Sequence, residues 1–441
     1  MVSSLKKHFH QSLFLLGASL FLSFFVVIYN LCFELGIHFY RHFYNSYFFF
    51  LGIFFIAFSS CVCTKWAAGA RGSGHDLGKR YFDEFQEVNS IQDESIKDRV
   101  ETYFSDRVIL IKIISSSLAT FGGAALGREG PLVHMSMALL VSFKKKVREF
   151  EITPSSILIL GTCIGFAAAF REPILGLIYI FEIFGFRKAS QHFFHNLMIL
   201  LCSIYLSRFV LEELLNISPI IFNLPSEVAE DLLIFIRQSD WVNFAFIIGL
   251  AAVSGAVSGV LIHISRQHIH DHFKKASNKF LMFLPLIVGA FIVFFAQLGS
   301  ERVLGPVGYL LVDILYSPDI TSSFDFIGKY LNCLLSLAVG CAGGVVIPAI
   351  TLGAIFGDVA SGIFATSAPF LIMLCAATFL SSVINAPLTA ASFVIMFTKL
   401  DFNVAICVII ASYLSYYFSI IIKKIGRVTI LMKKDVYAIP N

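Results

Sequence analysis

The chain alternates between two kinds of apolar stretch. Uninterrupted runs lie near residues 12–35, 47–68, 108–126, 191–211, 243–264, 280–298 and 403–422. Each is about 18 residues or longer, the length that crosses a hydrocarbon layer as a helix. The stretches 127–143, 154–186, 329–366 and 368–399 are as apolar but are cut by glycine and proline, in GREGP, FREP, GGVVIP and INAP. Lipid does not tolerate such breaks, because the freed backbone groups find no partner in hydrocarbon. Broken helices at that depth are predicted to line a buried polar site, where a helix start carries a partial positive charge that favours anions. The first run, from about Ser12 to Leu31, is too long for the core of a signal peptide and is read as the first spanning helix.

The polar remainder is thin. Its longest stretch, 70–107, includes Lys79, Arg80, Asp83, Glu84, Glu87, Asp93, Glu94, Lys97 and Asp98. It has room for a short amphipathic helix or loop but not for a domain. Basic clusters at Lys6-Lys7, Lys144–Arg148, Arg187-Lys188, Lys274-Lys275, Lys423-Lys424 and Lys433-Lys434 read as solvated loops. If they are cytoplasmic, both termini are inside. Residues 1–441 are expected to form one membrane domain, with halves of about 12–211 and 240–431 and no soluble regulatory domain. An internal repeat supports the division. GFAAAFREPILGLIYIFEIF at 165–184 and AATFLSSVINAPLTAASFVIMF at 376–397 both run from small residues through Phe to a proline and an apolar helix. Such repeats commonly place a site at their interface.

Composition excludes whole classes. Of 441 residues 57% are hydrophobic and 14% are charged, 48 are Phe, and mean hydropathy is +0.81. A soluble fold carries about 25% charge, so a soluble or disordered chain is excluded. Net charge is only +4 and there is no basic stripe, so nucleic acid is not an expected partner. The nine cysteines, most of them within apolar runs, repeat no CxxC spacing and read as small buried hydrophobes. His268-x-His270-x-His272 is the one cluster with possible metal spacing. Residues two apart on a helix do not face each other, so neither a metal nor a cofactor is expected. No catalytic constellation marks an enzyme.

Three glycine-rich motifs carry the candidate chemistry. In Gly127-Arg128-Glu129-Gly130-Pro131 the proline suits a first helical turn, and Gly122, Gly123 and Gly127 permit close backbone approach. Free N–H groups at that helix start favour an anion. A carboxylate just before it would take the anion's place as a mobile, protonatable plug; the alternative is that Arg128 and Glu129 pair in an interfacial loop. In Gly72-Ser73-Gly74 the hydroxyl can donate to a dehydrated anion, or the tripeptide is a plain turn. In Gly343-Gly344-Val345-Val346-Ile347-Pro348 a glycine-rich approach leads to another helix start, where the amides of Val346 and Ile347 could face an anion.

With these residues in place the chain resembles the CLC family of chloride channels and proton-coupled chloride antiporters, from about residue 50 to about residue 425. GGAALGREGPLVHMSMAL matches the family's most specific region. AGGVVIPAITLGAIFG resembles its GxFxP region, and FAAAFREPILGLIYIFE and INAPLTAASFVIMFT resemble its paired helices. The resemblance implies an all-α polytopic fold of two pseudo-symmetric, inverted halves whose broken helices meet at a central anion site. It also implies a homodimer with one pore per subunit in the bilayer. Glu129 takes the place of the external gating glutamate and Ser73 that of the anion-coordinating serine, flanked by Gly72 and Gly74. Arg128, Gly130 and the amides of Val346 and Ile347 complete the anion-binding set. Lys112, 17 positions before Glu129, matches a buried lysine that raises the local potential; the alternative is a lysine snorkelling to the interface.

The departures from the family pattern are specific. His75 and Asp76 replace an apolar residue and a proline; His75 could sense pH, and Asp76 is expected to cap the next helix. Val346 replaces a phenylalanine, and Arg171-Glu172 replaces Asn and a small residue. Ile183, next to a retained Glu182, replaces the internal proton-relay glutamate of proton-coupled members. The family's pore tyrosine has no clear match: Tyr437 falls too late, and Tyr413, Tyr416 and Tyr417 lie in the preceding span before a final helix at Gly426–Leu431. The expected function is chloride transport gated by Glu129, with chloride as bound substrate, as chloride/proton antiport in a bacterial inner membrane. The alternative is a passive chloride channel, which Ile183 favours, and the remote alternative a membrane enzyme.

Overall fold

The computed structural model describes residues 2–88, 92–143, 153–170, 172–185, 205, 241–264, 278–306, 310–317, 320–364, 367–398 and 402–436. Among them there is no strand. The elements are α1 (Val2–Phe43), α2 (Leu51–Trp66), α3 (Leu77–Gln86), α4 (Glu94–Tyr103), α5 (Asp106–Phe121), α6 (Glu129–Ser142), α7 (Pro154–Phe170) and α8 (Pro173–Phe184), followed by α9 (Trp241–Ile264), α10 (Asn278–Leu298), α11 (Leu310–Tyr316), α12 (Ser323–Ala338), α13 (Val346–Phe364), α14 (Ala368–Ile384), α15 (Pro387–Thr398) and α16 (Phe402–Val436).

The chain divides into two compact units. One comprises Met1–Ile220, His272–Pro306 and Gly328–Pro348; the other comprises Ile221–Asp271, Val307–Ile327 and Ala349–Asn441. Every candidate site residue falls in the first. There α6 packs along α7, α2 against α5 and α10, and α3 against α7. In the second unit α14 packs against α9 and α16, with α15 beside it.

The breaks fall where proline chemistry puts them. Glu172 is extended (φ −125°, ψ 98°) and Pro173 opens α8, because the residue before a proline is pushed out of the helical region. In the second copy Asn385 closes α14 in the left-handed region (φ 56°) and Pro387 opens α15. Burial separates the two kinds of apolar stretch. On α1, Phe21, Phe24, Leu31 and Leu35 face outward. On α6 nearly every residue from Glu129 to Val141 is buried, and on α14 every residue from Phe370 to Ile384 is buried. The glycine- and proline-cut helices are thus the ones shielded by protein.

Several boundaries differ from expectation. Among the described residues three helical segments are long and apolar enough to cross a membrane, Leu16–Phe43, Val346–Phe364 and Phe402–Ile425, and the other apolar helices there are shorter, at 10–17 residues. One of the three, α13, lies in a stretch read as broken; its break sits in the glycines before Val346, not in the helix. Gly426–Leu431 continues α16 and does not start a helix of its own, since no proline precedes it. The expected span 191–211, apart from Tyr205, and Arg171, Tyr437 and His268–His272 lie outside the described residues.

Candidate functional site

Three loops of the first unit are stapled together by backbone. Gly72 N–H donates to Cys341 O (3.1 Å) and Gly343 N–H to Gly72 O (3.2 Å). Gly127 and Gly344 exchange both hydrogen bonds, at 2.8 and 2.5 Å. The glycines allow this approach. A Cβ on Gly344 would lie 2.7 Å from the amide of Gly130, and one on Gly130 would land on Ser73 Oγ. Ser73, 1% exposed, therefore has its hydroxyl against the start of α6.

Glu129 is the first residue of α6 and is 2% exposed. Its carboxylate folds back over Gly127, where a Cβ would collide with it. The backbone amides of Glu129 and Ile347 act on that carboxylate, while Oε2 is buried with no hydrogen-bond partner. Arg128 Nε stands 3.9 Å from Oε1, but the closer partner of Arg128 is Glu34 on α1, at 3.1 Å. Glu129 is thus a buried helix start, not half of an interfacial loop pair. A carboxylate oxygen without a donor, held among amides in the interior, is costly unless it can change protonation or exchange places with another anion.

Lys112 is fully buried and does not snorkel. Its Nζ donates to Ala70 O (3.1 Å) and Gly72 O (3.0 Å), which fixes the turn that presents Ser73. Sequence reading missed its counterpart. Lys329 on α12, also fully buried, donates to Arg302 O, Leu304 O and Gly305 O at 2.9, 3.2 and 2.8 Å. It precedes Val346 by the same 17 positions that separate Lys112 from Glu129.

One constant shift in numbering relates the two segments. It pairs Lys112 with Lys329, Gly127 with Gly344 and Pro131 with Pro348, and it pairs Gly123 (φ 73°) with Gly340 (φ 83°). Contacts are exchanged reciprocally. Ala342 N–H donates to Ser115 Oγ (3.2 Å), and its counterpart Ala125 N–H donates to Asn332 Oδ1 (2.9 Å), Asn332 being the counterpart of Ser115. Reciprocal exchange is the mark of a pseudo-twofold. The signal was in the sequence as equal Lys–Pro spacing, hidden because the second copy lacks the charged pair of the first.

Around Ser73 three further residues matter. His75, 5% exposed, has Nδ1 2.9 Å from Ser73 Oγ. Asp76 stands at the N-cap position of α3 but makes no side-chain cap. Its Oδ2 instead accepts from Arg80 at 2.9 Å, because the guanidinium one turn along offers a charged donor and the cap an uncharged one. His134, fully buried on α6 and missed in the sequence, donates from Nε2 to Tyr103 O (2.6 Å). Its Nδ1 has no partner, and its ring fills the space beside Gly74 (φ 78°), where any Cβ would strike it.

Ile183, half-buried, lies in the last turn of α8. The next residue, Phe184, packs on Phe82 with ring centroids 5.1 Å apart, so this turn leans on α3, the helix that His75 and Asp76 introduce. Among the described residues no cluster of three or more His, Cys, Asp or Glu could hold a metal ion. Cys63, Cys163, Cys333, Cys341, Cys375 and Cys407 are buried, whereas Cys32 and Cys61 are half-buried.

Residues 8–420 match the family described as voltage gated chloride channel, and the chain belongs to that family, which consists of membrane transporters and not of enzymes. Among curated relatives it is 26% identical over 292 residues to an H(+)/Cl(-) exchange transporter, ClcA, of Vibrio campbellii, covering 64% of this chain and 59% of that one. It is 25% identical over 320 residues to ClcA of Vibrio parahaemolyticus, covering 66% and 62%. The chain thus spans about three fifths of the length of the curated relatives it matches. Two solved structures share the fold. A CLC-type fluoride/proton antiporter superposes with TM-score 0.71 at 18% identity, covering 93% of this chain and 95% of that one. A slow cyanobacterial Cl-/H+ antiporter gives TM-score 0.72 at 14% identity, covering 97% and 99%. The all-α CLC-type fold of an integral membrane protein is what the chain adopts.

Proposed function

We propose that the chain moves chloride across a bacterial inner membrane in exchange for protons, with Glu129 as the gate. The observation that carries this reading is the buried Glu129 carboxylate, with one oxygen unpartnered, at the start of α6. Chloride competes for the place that this carboxylate holds, and is bound by Ser73 Oγ, the amides beginning at Gly130, and those of Val346 and Ile347. Gly72, Gly74 and Arg128 shape and polarise that place, and Lys112 adds positive potential behind the Ser73 turn. Protonation neutralises Glu129 and releases it from the amides; chloride then occupies them, and its departure returns the carboxylate. No cofactor takes part. Two copies associate as a homodimer with one such path each, and both termini lie in the cytoplasm. The curated relatives named as exchangers support the proton linkage.

Ile183 supports a second reading, a passive chloride channel, since isoleucine carries no proton. Purified protein in vesicles under opposed chloride and pH gradients separates the two. Exchange moves protons uphill as chloride runs down its gradient; a reversal potential set by chloride alone identifies a channel. Glu129→Gln is expected to abolish proton movement and leave chloride flux, and unchanged pH dependence in that variant would sink the gate assignment.

A further inference from the structure

His75 follows Ser73 by two positions and is hydrogen-bonded to it. We infer that the protonation state of His75 sets which way the Ser73 hydroxyl points, and so whether the serine can bind the anion. The inference rests on the anion site proposed above and adds a second titratable group to it. Ser73 Oγ and His75 Nδ1 are 2.9 Å apart, both side chains are buried, and the serine oxygen abuts the start of α6.

A serine has one hydrogen to give. In the neutral ring with its hydrogen on Nε2, the bare Nδ1 takes that hydrogen, and the serine turns a lone pair toward the α6 start, which repels an anion. When Nδ1 carries a proton, it donates to Oγ instead. The serine hydrogen is then free to point at the anion, and the imidazolium adds a positive charge one hydrogen bond behind it. Protonation thus converts Ser73 from an acceptor into an anion donor. The proton comes from water on acidification and returns there when the ring deprotonates.

The charged and titratable groups around this pair pull in opposite directions. From α5, Lys112 holds the carbonyls of Ala70 and Gly72 and opposes a second positive charge. From α3, Asp76 favours protonation, although its ion pair with Arg80 moderates it. At the start of α6, Glu129 favours the imidazolium and Arg128 opposes it. His134, further along α6, is held by the carbonyl of Tyr103 at the end of α4, with its ring beside Gly74. The turn that lacks an acid at Ile183 leans on the helix introduced by this histidine, so the protein keeps a proton-binding group beside the anion path by other means.

The test is chloride binding by calorimetry with the purified full chain carrying Glu129→Gln, which removes the competing carboxylate and its titration. Affinity is expected to be roughly tenfold tighter near pH 5 than near pH 8, on either side of the ordinary imidazole range. His75→Leu neither takes the serine hydrogen nor adds a charge, so it should lose the pH dependence and bind with an affinity between the two; Ser73→Ala should bind with the weaker affinity at both pH values; His134→Leu should retain the shift. A reciprocal measurement leaves His75 in place: saturating chloride should raise the His75 titration midpoint, read by nitrogen NMR, by the same factor. Binding that is independent of pH, a shift that survives His75→Leu, or a midpoint indifferent to chloride overturns the inference while the anion site stands. If Glu129→Gln binds no chloride at either pH, the anion site falls, and this inference with it.

Discussion

The turn at 70–74 and the turn at 302–305 are built alike and equipped differently. Each is held by a fully buried lysine standing 17 positions before a helix start, and each is followed by backbone contact with the opposite copy. The first presents Ser73 and His75 to a helix that begins with Glu129. The second presents Leu304 and Gly305, and the helix start paired with Glu129 is Val346. The scaffold is duplicated, but a carboxylate at the helix start occurs in one copy only. A pseudo-twofold can therefore shape a site from both sides while leaving one such carboxylate.

This contrast can be broken by removing its shared parts. Lys329→Met orphans three buried carbonyls and should destabilise by about 2–4 kcal/mol, read as a lower melting temperature in detergent. Lys112→Met orphans only Ala70 O, since Gly72 O keeps the Gly343 N–H, and should cost less stability while weakening chloride binding, which Lys329→Met should leave nearer to normal. Equal effects on binding would mean that the two copies are not divided as described. The paired residues on α5 and α12 come next. Asn332→Ala removes bonds to Ala125 N–H, Gly123 O and Val303 O and should cost about 2 kcal/mol; Ser115→Ala should cost about 1 kcal/mol. The reverse order would show that the Ser115 bonds to Ser59 and Ala342 outweigh the amide's.

Smaller effects sharpen the picture. Gly340→Ala and Gly123→Ala force alanine into positive φ and should each cost about 1–2 kcal/mol. The loss should be larger at Gly123, where the new methyl also meets Leu304 Cδ2 at 2.9 Å. Glu34→Gln, at the rim, should change stability by under about 1 kcal/mol. It should alter chloride flux only through the freed Arg128, in the direction of tighter anion attraction at low salt. A large loss of stability would show that the Arg128–Glu34 pair is a structural anchor.

What the sequence disclosed follows from how conspicuous each group is against an apolar background. GREGP, FREP, GGVVIP and INAP stood out because glycine and proline break helices that lipid requires intact, and those helices are the buried ones. Lys112 was legible through its spacing to Glu129. Lys329 has the same spacing, but its helix start reads Val345-Val346, so nothing charged drew attention to it. His134 was invisible for a similar reason, as a single polar residue in a helix whose fit against Gly74 exists only in three dimensions. The cap expected from Asp76 failed because local rules rank side chain against backbone, and Arg80 one turn away is a stronger claimant. The boundary of the last helix was misplaced because glycine weakens a helix without ending it.

The exchange of hydrogen bonds between Gly127 and Gly344 has a consequence for speed. The approach to Glu129 is bolted to the other copy at Gly127, so the backbone there has little room to travel. What can move is the carboxylate, about its own side-chain torsions. Rotation of one side chain is a local event, whereas domain motions take microseconds to milliseconds. If this carboxylate is the gate proposed above, it sets no domain-scale clock on turnover; the slow step is then the arrival and loss of protons, and the pace follows the pH of the surroundings.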